Sequence, residues 1–271
     1  MPAGKGAKQA VAAARQGALV AMVGRVGNDS FGPELINNLK QNDVDTSQVQ
    51  TDADSATGTA IIVVDAKGQN SIVLSPGGNG RVTTADVNNL SFSDSMLLLL
   101  QLEIPVETVF AAAQRAKESG VRVLLNPAPA RSLPDELLSL PDFLVPNESE
   151  LSLLTDMPVN DLPSAENAAK TLLERGVPTV IVTLGANGAL LVDKKNTKHI
   201  PSFPVEVVDT TAAGDAFIGG FASALLQDKS MEEAVRYGCA CGALAATKLG
   251  AQPSLPAKEE VETFLNQFPH P

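Results

Sequence analysis

Four short segments of this chain, Met96–Leu102, Val121–Leu125, Phe143–Val145 and Thr179–Thr183, are apolar almost throughout. They lack the in–out alternation of a strand with one face in water. Helical patterns lie between them, Val106 to Glu118 with Gly120 behind it and Ser164 to Arg175 ended by Gly176. Strands that need cover on both faces, alternating with helices, are accommodated by a doubly wound, mostly parallel α/β sheet with helices on either side. A length of 271 residues suits one such domain over 1–271, and there is no repeat or linker to divide it.

The first hundred residues read differently. Ala7 to Arg15 is Ala-rich and stopped by Gly17, which predicts a short helix, and Leu19 to Val23 reads as a buried strand. Gly58–Asp65 and Asn70–Leu74 are β-rich runs flanking Ala66-Lys67-Gly68-Gln69, the pattern of a hairpin.

Charge and scarcity exclude much chemistry. Lys+Arg 20 against Asp+Glu 31 gives a net charge of −11, so the long-range field repels nucleic acid and anionic lipid. No stretch of 18 apolar residues suggests a membrane span, and the start lacks a signal-peptide pattern, so a cytoplasmic protein is expected. Two Cys, Cys239 and Cys241, sit in a small-residue helical stretch and read as core fillers. Two His, His199 and His270, are too few for a histidine-rich zinc site or a Ser-His system. A proton-transfer group at neutral pH then falls to Asp or Glu.

In a doubly wound sheet, ligands bind outside the carboxyl ends of the strands. Those ends carry Glu103, Asn126, Asn147 with Glu150, the turn Thr183-Leu184-Gly185-Ala186-Asn187-Gly188, and Asp209-Thr210-Thr211-Ala212-Ala213-Gly214-Asp215. The last segment passes from the β-like Val207-Val208 through small residues into a helix expected over Phe217 to Leu226. Free N–H groups at such a start, unobstructed by bulky side chains, make an anion site that needs no cationic side chain. Asp215 on the first turn can take a proton from a hydroxyl while the amides of Ala212, Ala213 and Gly214 hold a transferring phosphoryl group. The plainer reading is a first-turn acid favoured by the helix dipole. Neither a Walker A motif nor G-x-G-x-x-G after a strand is present.

Together with Ala3-Gly4-Lys5-Gly6-Ala7, Asn147-Glu148-Ser149-Glu150 and Gly250-Ala251-Gln252-Pro253-Ser254, the Asp209–Asp215 segment resembles the ribokinase-like, or PfkB, family of carbohydrate kinases along essentially the whole chain. The resemblance implies ATP-dependent phosphorylation of a sugar, the 5-hydroxyl of D-ribose first of all, with Mg²⁺ and an activating K⁺. It makes Asp215 the base and the preceding amides the anion hole. Gly4, Lys5, Lys8 and Glu103 fall on the sugar side; by itself Glu103 is either a ligand or an acid at a helix start. Asn147 and Glu150 match the motif that orients Mg²⁺ and the phosphates, although alone they read as a helix cap with first-turn acids. Thr183 to Gly188 and Gly214 match the nucleotide side, the former being also a plain hairpin turn. Cys239 falls near the expected adenine, where packing is the simpler role. Asp209, Thr211, Ala245, Lys248, Gly250 and Ser254 match the monovalent-cation ligands, several through carbonyls.

Two departures belong with that reading. Members of the family begin with a core strand and most of a small β lid before the glycine segment that opens this chain, so a shortened start and a lid reduced to about 58–75 are expected. Lys8 stands where the family pattern has Asn. A related fructose or nucleoside kinase, or a nucleotide-binding remnant of low activity, is the alternative. Pairing of two lids in a homodimer is a further expectation from the resemblance.

Overall fold

The computed structural model describes residues 4–64, 70–88 and 90–268. In chain order the elements are α1 (Lys5–Arg15), β1 (Val20–Gly27), α2 (Phe31–Gln41), β2 (Val44–Asp52), β3 (Thr59–Val64), β4 (Asn70–Ser75), α3 (Thr84–Asn88), β5 (Leu97–Leu100) and α4 (Val106–Glu118). There follow β6 (Arg122–Leu125), α5 (Asp135–Leu138), β7 (Phe143–Leu144), α6 (Glu148–Thr155), α7 (Leu162–Glu174), β8 (Thr179–Thr183), β9 (Ala189–Asp193), β10 (Thr197–Ile200), α8 (Ala213–Leu226), α9 (Met231–Ala246) and α10 (Lys258–Asn266).

The main sheet has six strands in the order β10-β9-β8-β7-β6-β5. β5 to β8 are parallel, and β9 and β10 return antiparallel. Alternate residues of one strand enter opposite cores. Leu124 and Ile181 pack with α1, α8 and α9, whereas Val123, Leu125, Val180 and Val182 pack with α4 and α7. This two-sided cover is why the strands are apolar throughout, and it is the doubly wound architecture the pattern predicts.

Two further small sheets stand apart. β1 pairs parallel with β2, and β3 pairs antiparallel with β4 from Thr59↔Ser75 to Val64↔Asn70, the hairpin expected over 58–75, whose tip at 66–69 lies outside the described residues. Polar bonds join the two sheets. The Asp29 carboxylate accepts from Thr57 N–H and Oγ1, at 2.7 Å each, and Arg81 donates to Asp52 at 2.7 Å.

Two expectations need correction. Leu19–Val23 is not a buried strand: Leu19 is fully exposed and β1, shifted to Val20–Gly27, is only half covered, because α1 lies on one face of a two-stranded sheet. Val207-Val208 is not a strand either. Both side chains are exposed, and the Val208 and Asp209 N–H groups donate to the single carbonyl of Ala246.

Among the described residues no helix is long and apolar enough to cross a membrane.

Candidate active site

The site is assembled where α1 crosses α8. Gly219 carries no side chain because a Cβ there would come within 2.4 Å of Ala12 Cβ and 2.6 Å of Ala13 N. Helical residues four apart share a face, so the contact that joins Ala12 to Gly219 also brings Lys8, one turn before Ala12, to Asp215, one turn before Gly219. The Lys8 ammonium lies 2.6 Å from Asp215 Oδ2, with side-chain exposures of 12% and 5%.

The other carboxylate oxygen is held by a residue that the sequence does not single out. Gln9, fully buried, donates from Nε2 to Asp215 Oδ1 at 2.9 Å and to Asn126 Oδ1 at 3.0 Å. Its Oε1 accepts from Gln101 Nε2 at 2.7 Å, and Asn126 Nδ2 donates to Val145 O at 2.9 Å. No local motif announces such a contact, since Gln9 and Asp215 are 206 residues apart.

The start of α1 is tied to the end of β5. Glu103 Oε2 accepts the Lys5 N–H at 2.7 Å, and Gly4, the residue before the helix, has φ 90°, which favours glycine. The start of α1 thus brings Gly4 and Lys5 to Glu103, and Lys8 one turn on to Asp215.

Asp215 sits in the first turn of α8 and is buried. The Gly214 and Asp215 N–H groups have no helix carbonyl before them, and a Cβ at Gly214 would meet nothing within 4 Å. Of the three amides expected to hold phosphoryl charge, that of Ala213 is already used: it donates to Thr210 O at 3.1 Å, and Ala212 O accepts from Ala216.

Asn147 and Glu150 realise the cap. Asn147 Oδ1 accepts the Glu150 N–H at 2.8 Å, Glu150 Oε2 accepts the Asn147 N–H at 2.9 Å, and Glu150 Oε1 accepts Asn147 Nδ2 at 3.1 Å. Burial pushes the Glu150 carboxyl above its ordinary range, the nearby charge of Asp215 adds to this, and the Asn147 N–H and the Lys5 ammonium oppose it. A carboxylate held short of its charged form in this way gains from a cation. A backbone bridge sets Asn147 beside Thr183, and Thr183 N–H donates to Pro146 O at 2.9 Å. The Thr183–Gly188 segment is the β8–β9 hairpin turn, with Gly185 at φ 53° and Gly188 at φ 87°.

Asp209 Oδ1 accepts from Thr211 N at 2.9 Å, and Oδ2 accepts from Gly250 N at 2.9 Å. The Thr211 hydroxyl also donates to Oδ1, and this bond first, with the Gly250 and Thr211 N–H groups after it, draws Asp209, Thr211 and Gly250 together and holds the Asp209 carboxyl below its usual range. Lys248 directs its ammonium away, 2.6 Å from Glu260. Ala245 O accepts from Lys248 N, and Ser254, buried, donates to Ala251 O at 2.8 Å. Cys239 is buried, with its thiol pushed up to about 12, the state of a packing residue. Among the described residues no group of three or more His, Cys, Asp or Glu is gathered as a metal cage.

A family model described as pfkB family carbohydrate kinase matches residues 1–258. A ribokinase from Haemophilus influenzae is 47% identical over 264 residues, covering 97% of this chain and 86% of that one. Among solved structures, a ribokinase from Thermotoga maritima superposes with a TM-score of 0.89 at 43% identity, covering 98% of this chain and 88% of the other. A ribokinase from Arabidopsis thaliana complexed with ribose and ATP gives 0.90 at 33% identity, covering 97% and 87%. The family match runs from residue 1 to 258, and the chain covers 86–88% of these three relatives' own length.

Proposed function

The chain belongs to the pfkB family of carbohydrate kinases, and from that membership we propose that it is a ribokinase, transferring the γ-phosphoryl group of ATP to the 5-hydroxyl of D-ribose. The observation that carries this is Asp215: a buried carboxylate in the first turn of α8, joined to Lys8 and Gln9 beside the Gly4–Glu103 group, with open first-turn amides next to it. The similarity to a ribokinase complexed with ribose and ATP supports it.

In this reading Asp215 Oδ2 takes the proton of the sugar hydroxyl as the hydroxyl oxygen bonds to the γ-phosphorus. The bond from that phosphorus to the bridging oxygen breaks, and ADP leaves. The Gly214 and Asp215 amides face the charge that develops on the phosphoryl oxygens. Glu103, Gly4 and Lys5 hold the sugar, from which Lys8 must withdraw. The β8–β9 turn and Gly214 receive the nucleotide.

Mg²⁺ fits Glu150, a hard oxygen donor whose charge burial and Asp215 disfavour, and magnesium commonly uses one or two carboxylates together with substrate phosphates. When bound, it neutralises phosphate charge; Asn147 fixes the carboxylate that reaches it. A monovalent cation fits Asp209, whose oxygens meet neutral donors at Thr211 and Gly250; by the family resemblance Ala245, Lys248 and Ser254 would supply further oxygens. The β3–β4 hairpin acts as a lid over the sugar within a single domain, and exposed Ile61, Val73 and Leu74 support pairing with a second copy. The buried, unpaired thiols of Cys239 and Cys241 suit a cytoplasmic setting.

The test is ADP release with ribose, 2-deoxyribose, fructose and adenosine, each in KCl and in NaCl at equal ionic strength. A ribose-dependent rate above the others, raised by K⁺, is expected; a rate highest with adenosine or fructose contradicts the sugar assignment.

A further inference from the structure

We propose that Gln9 is a positioning residue for phosphoryl transfer: it holds Asp215 Oδ1 so that Oδ2 is the oxygen that receives the substrate's proton. The inference rests on Asp215 being the base, and it concerns how that base is aimed.

The orientation of the Gln9 amide is over-determined. Its Nε2 has two acceptors, Asp215 Oδ1 and Asn126 Oδ1, and its Oε1 has one donor, Gln101 Nε2. Asn126 cannot turn over to relieve this, because its Nδ2 is engaged by Val145 O. Reversing Gln9 would set two amide nitrogens against each other at Gln101 and two oxygens against each other at both Asn126 and Asp215. The chain of amides therefore runs from the end of β5 through α1 to α8, with anchors after β6 and β7. All the groups lie at the sheet edge where the parallel strands end.

Gln9 is fully buried, so its amide cannot exchange these partners for bulk water, and a buried amide lacking partners is costly. The other oxygen, Oδ2, is paired with Lys8 at 2.6 Å, whose side chain is 12% exposed. An arriving hydroxyl meets Oδ2 by displacing a side chain that is itself partly exposed; to reach Oδ1 it would have to displace Gln9 from the interior. A carboxylate that rotates about its Cβ–Cγ bond presents the wrong lone pair, and misplacement of a reacting group by about 1 Å costs on the order of 10²-fold in rate.

The experiment is a double-substitution cycle on the full chain with ATP, Mg²⁺ and ribose, using Gln9→Met, Asp215→Asn and the pair. We expect Gln9→Met to lower kcat by about 10–100-fold with the KM for ATP within a few fold, and to cost nothing further once Asp215 is Asn. An unchanged kcat, or the same fractional loss in both backgrounds, overturns the proposal, the second outcome marking a structural role only. If Asp215→Asn itself retains full activity, the assignment of the base fails instead. Should Gln9→Met not fold, Gln101→Leu decides: it frees the Gln9 carbonyl from a half-buried position and is expected to lower kcat in the same Asp215-dependent way, and a kcat equal to that of the parent overturns the proposal.

Discussion

Lys8 Nζ lies 2.6 Å from Asp215 Oδ2, so the carboxylate at the centre of the site is paired with a cation four residues into α1. Both groups are mostly buried, and the pair holds together two helices from opposite ends of the sequence. Removing the cation leaves a buried carboxylate with only the Gln9 amide. Lys8→Met is therefore expected to destabilise the protein by about 1–3 kcal/mol, less than for a fully enclosed pair because the lysine is partly exposed. Urea denaturation measures this, and an unchanged midpoint would show that the pair contributes nothing.

Gly219 makes the approach of these helices possible. In Gly219→Ala the new Cβ meets Ala12 Cβ at 2.4 Å and the backbone atoms Ala13 N and Ala12 C at 2.6 and 2.8 Å, which cannot be relieved by a rotamer change. Helix α1 must shift, at a cost of about 1–3 kcal/mol. Because Lys8 and Gln9 ride on the same helix, kcat should fall as well. Thermal melts and turnover on one preparation check both effects; a variant with wild-type kcat would mean that the helix spacing does not set the site.

Glu150 gives a pH signature. Burial raises its carboxyl above the ordinary value, so its neutral form is favoured in the folded state. For such a group the contribution to stability is fully present below the unfolded value and is lost as pH rises through the raised one. Because Gln mimics the protonated carboxyl, the melting temperatures of the parent and Glu150→Gln should lie closest near pH 4, and the parent should fall relative to the variant as pH rises towards neutrality. A difference independent of pH would remove burial as the cause.

How far the sequence foretells this site varies by residue, for physical reasons. Strands covered on both faces are legible because every position is apolar, and β8 over Thr179–Thr183 and α4 over Val106–Glu118 have the expected bounds. Asp215 is legible because a helix start leaves a local trace of small residues. The α9 start is closed by a reciprocal cap of Ser230 and Glu233 that the sequence reading does not draw on. Gln9 is not legible, since its partners are set by the crossing of α1 over α8 and nothing in its neighbourhood encodes them. Leu19–Val23 misleads in the opposite sense, because an apolar run does not reveal how many of its faces will be covered.

The central claim is that Asp215 deprotonates the sugar hydroxyl. Its most direct test is steady-state turnover of Asp215→Asn with ATP, Mg²⁺ and ribose, beside equilibrium binding of ATP. Asparagine keeps the size of the side chain and leaves the first-turn amides of α8 in place, so ATP affinity should stay within a few fold, whereas kcat should fall by roughly 10²–10⁴, the usual contribution of a general base. A variant that retains more than about a tenth of the parent rate would contradict the account.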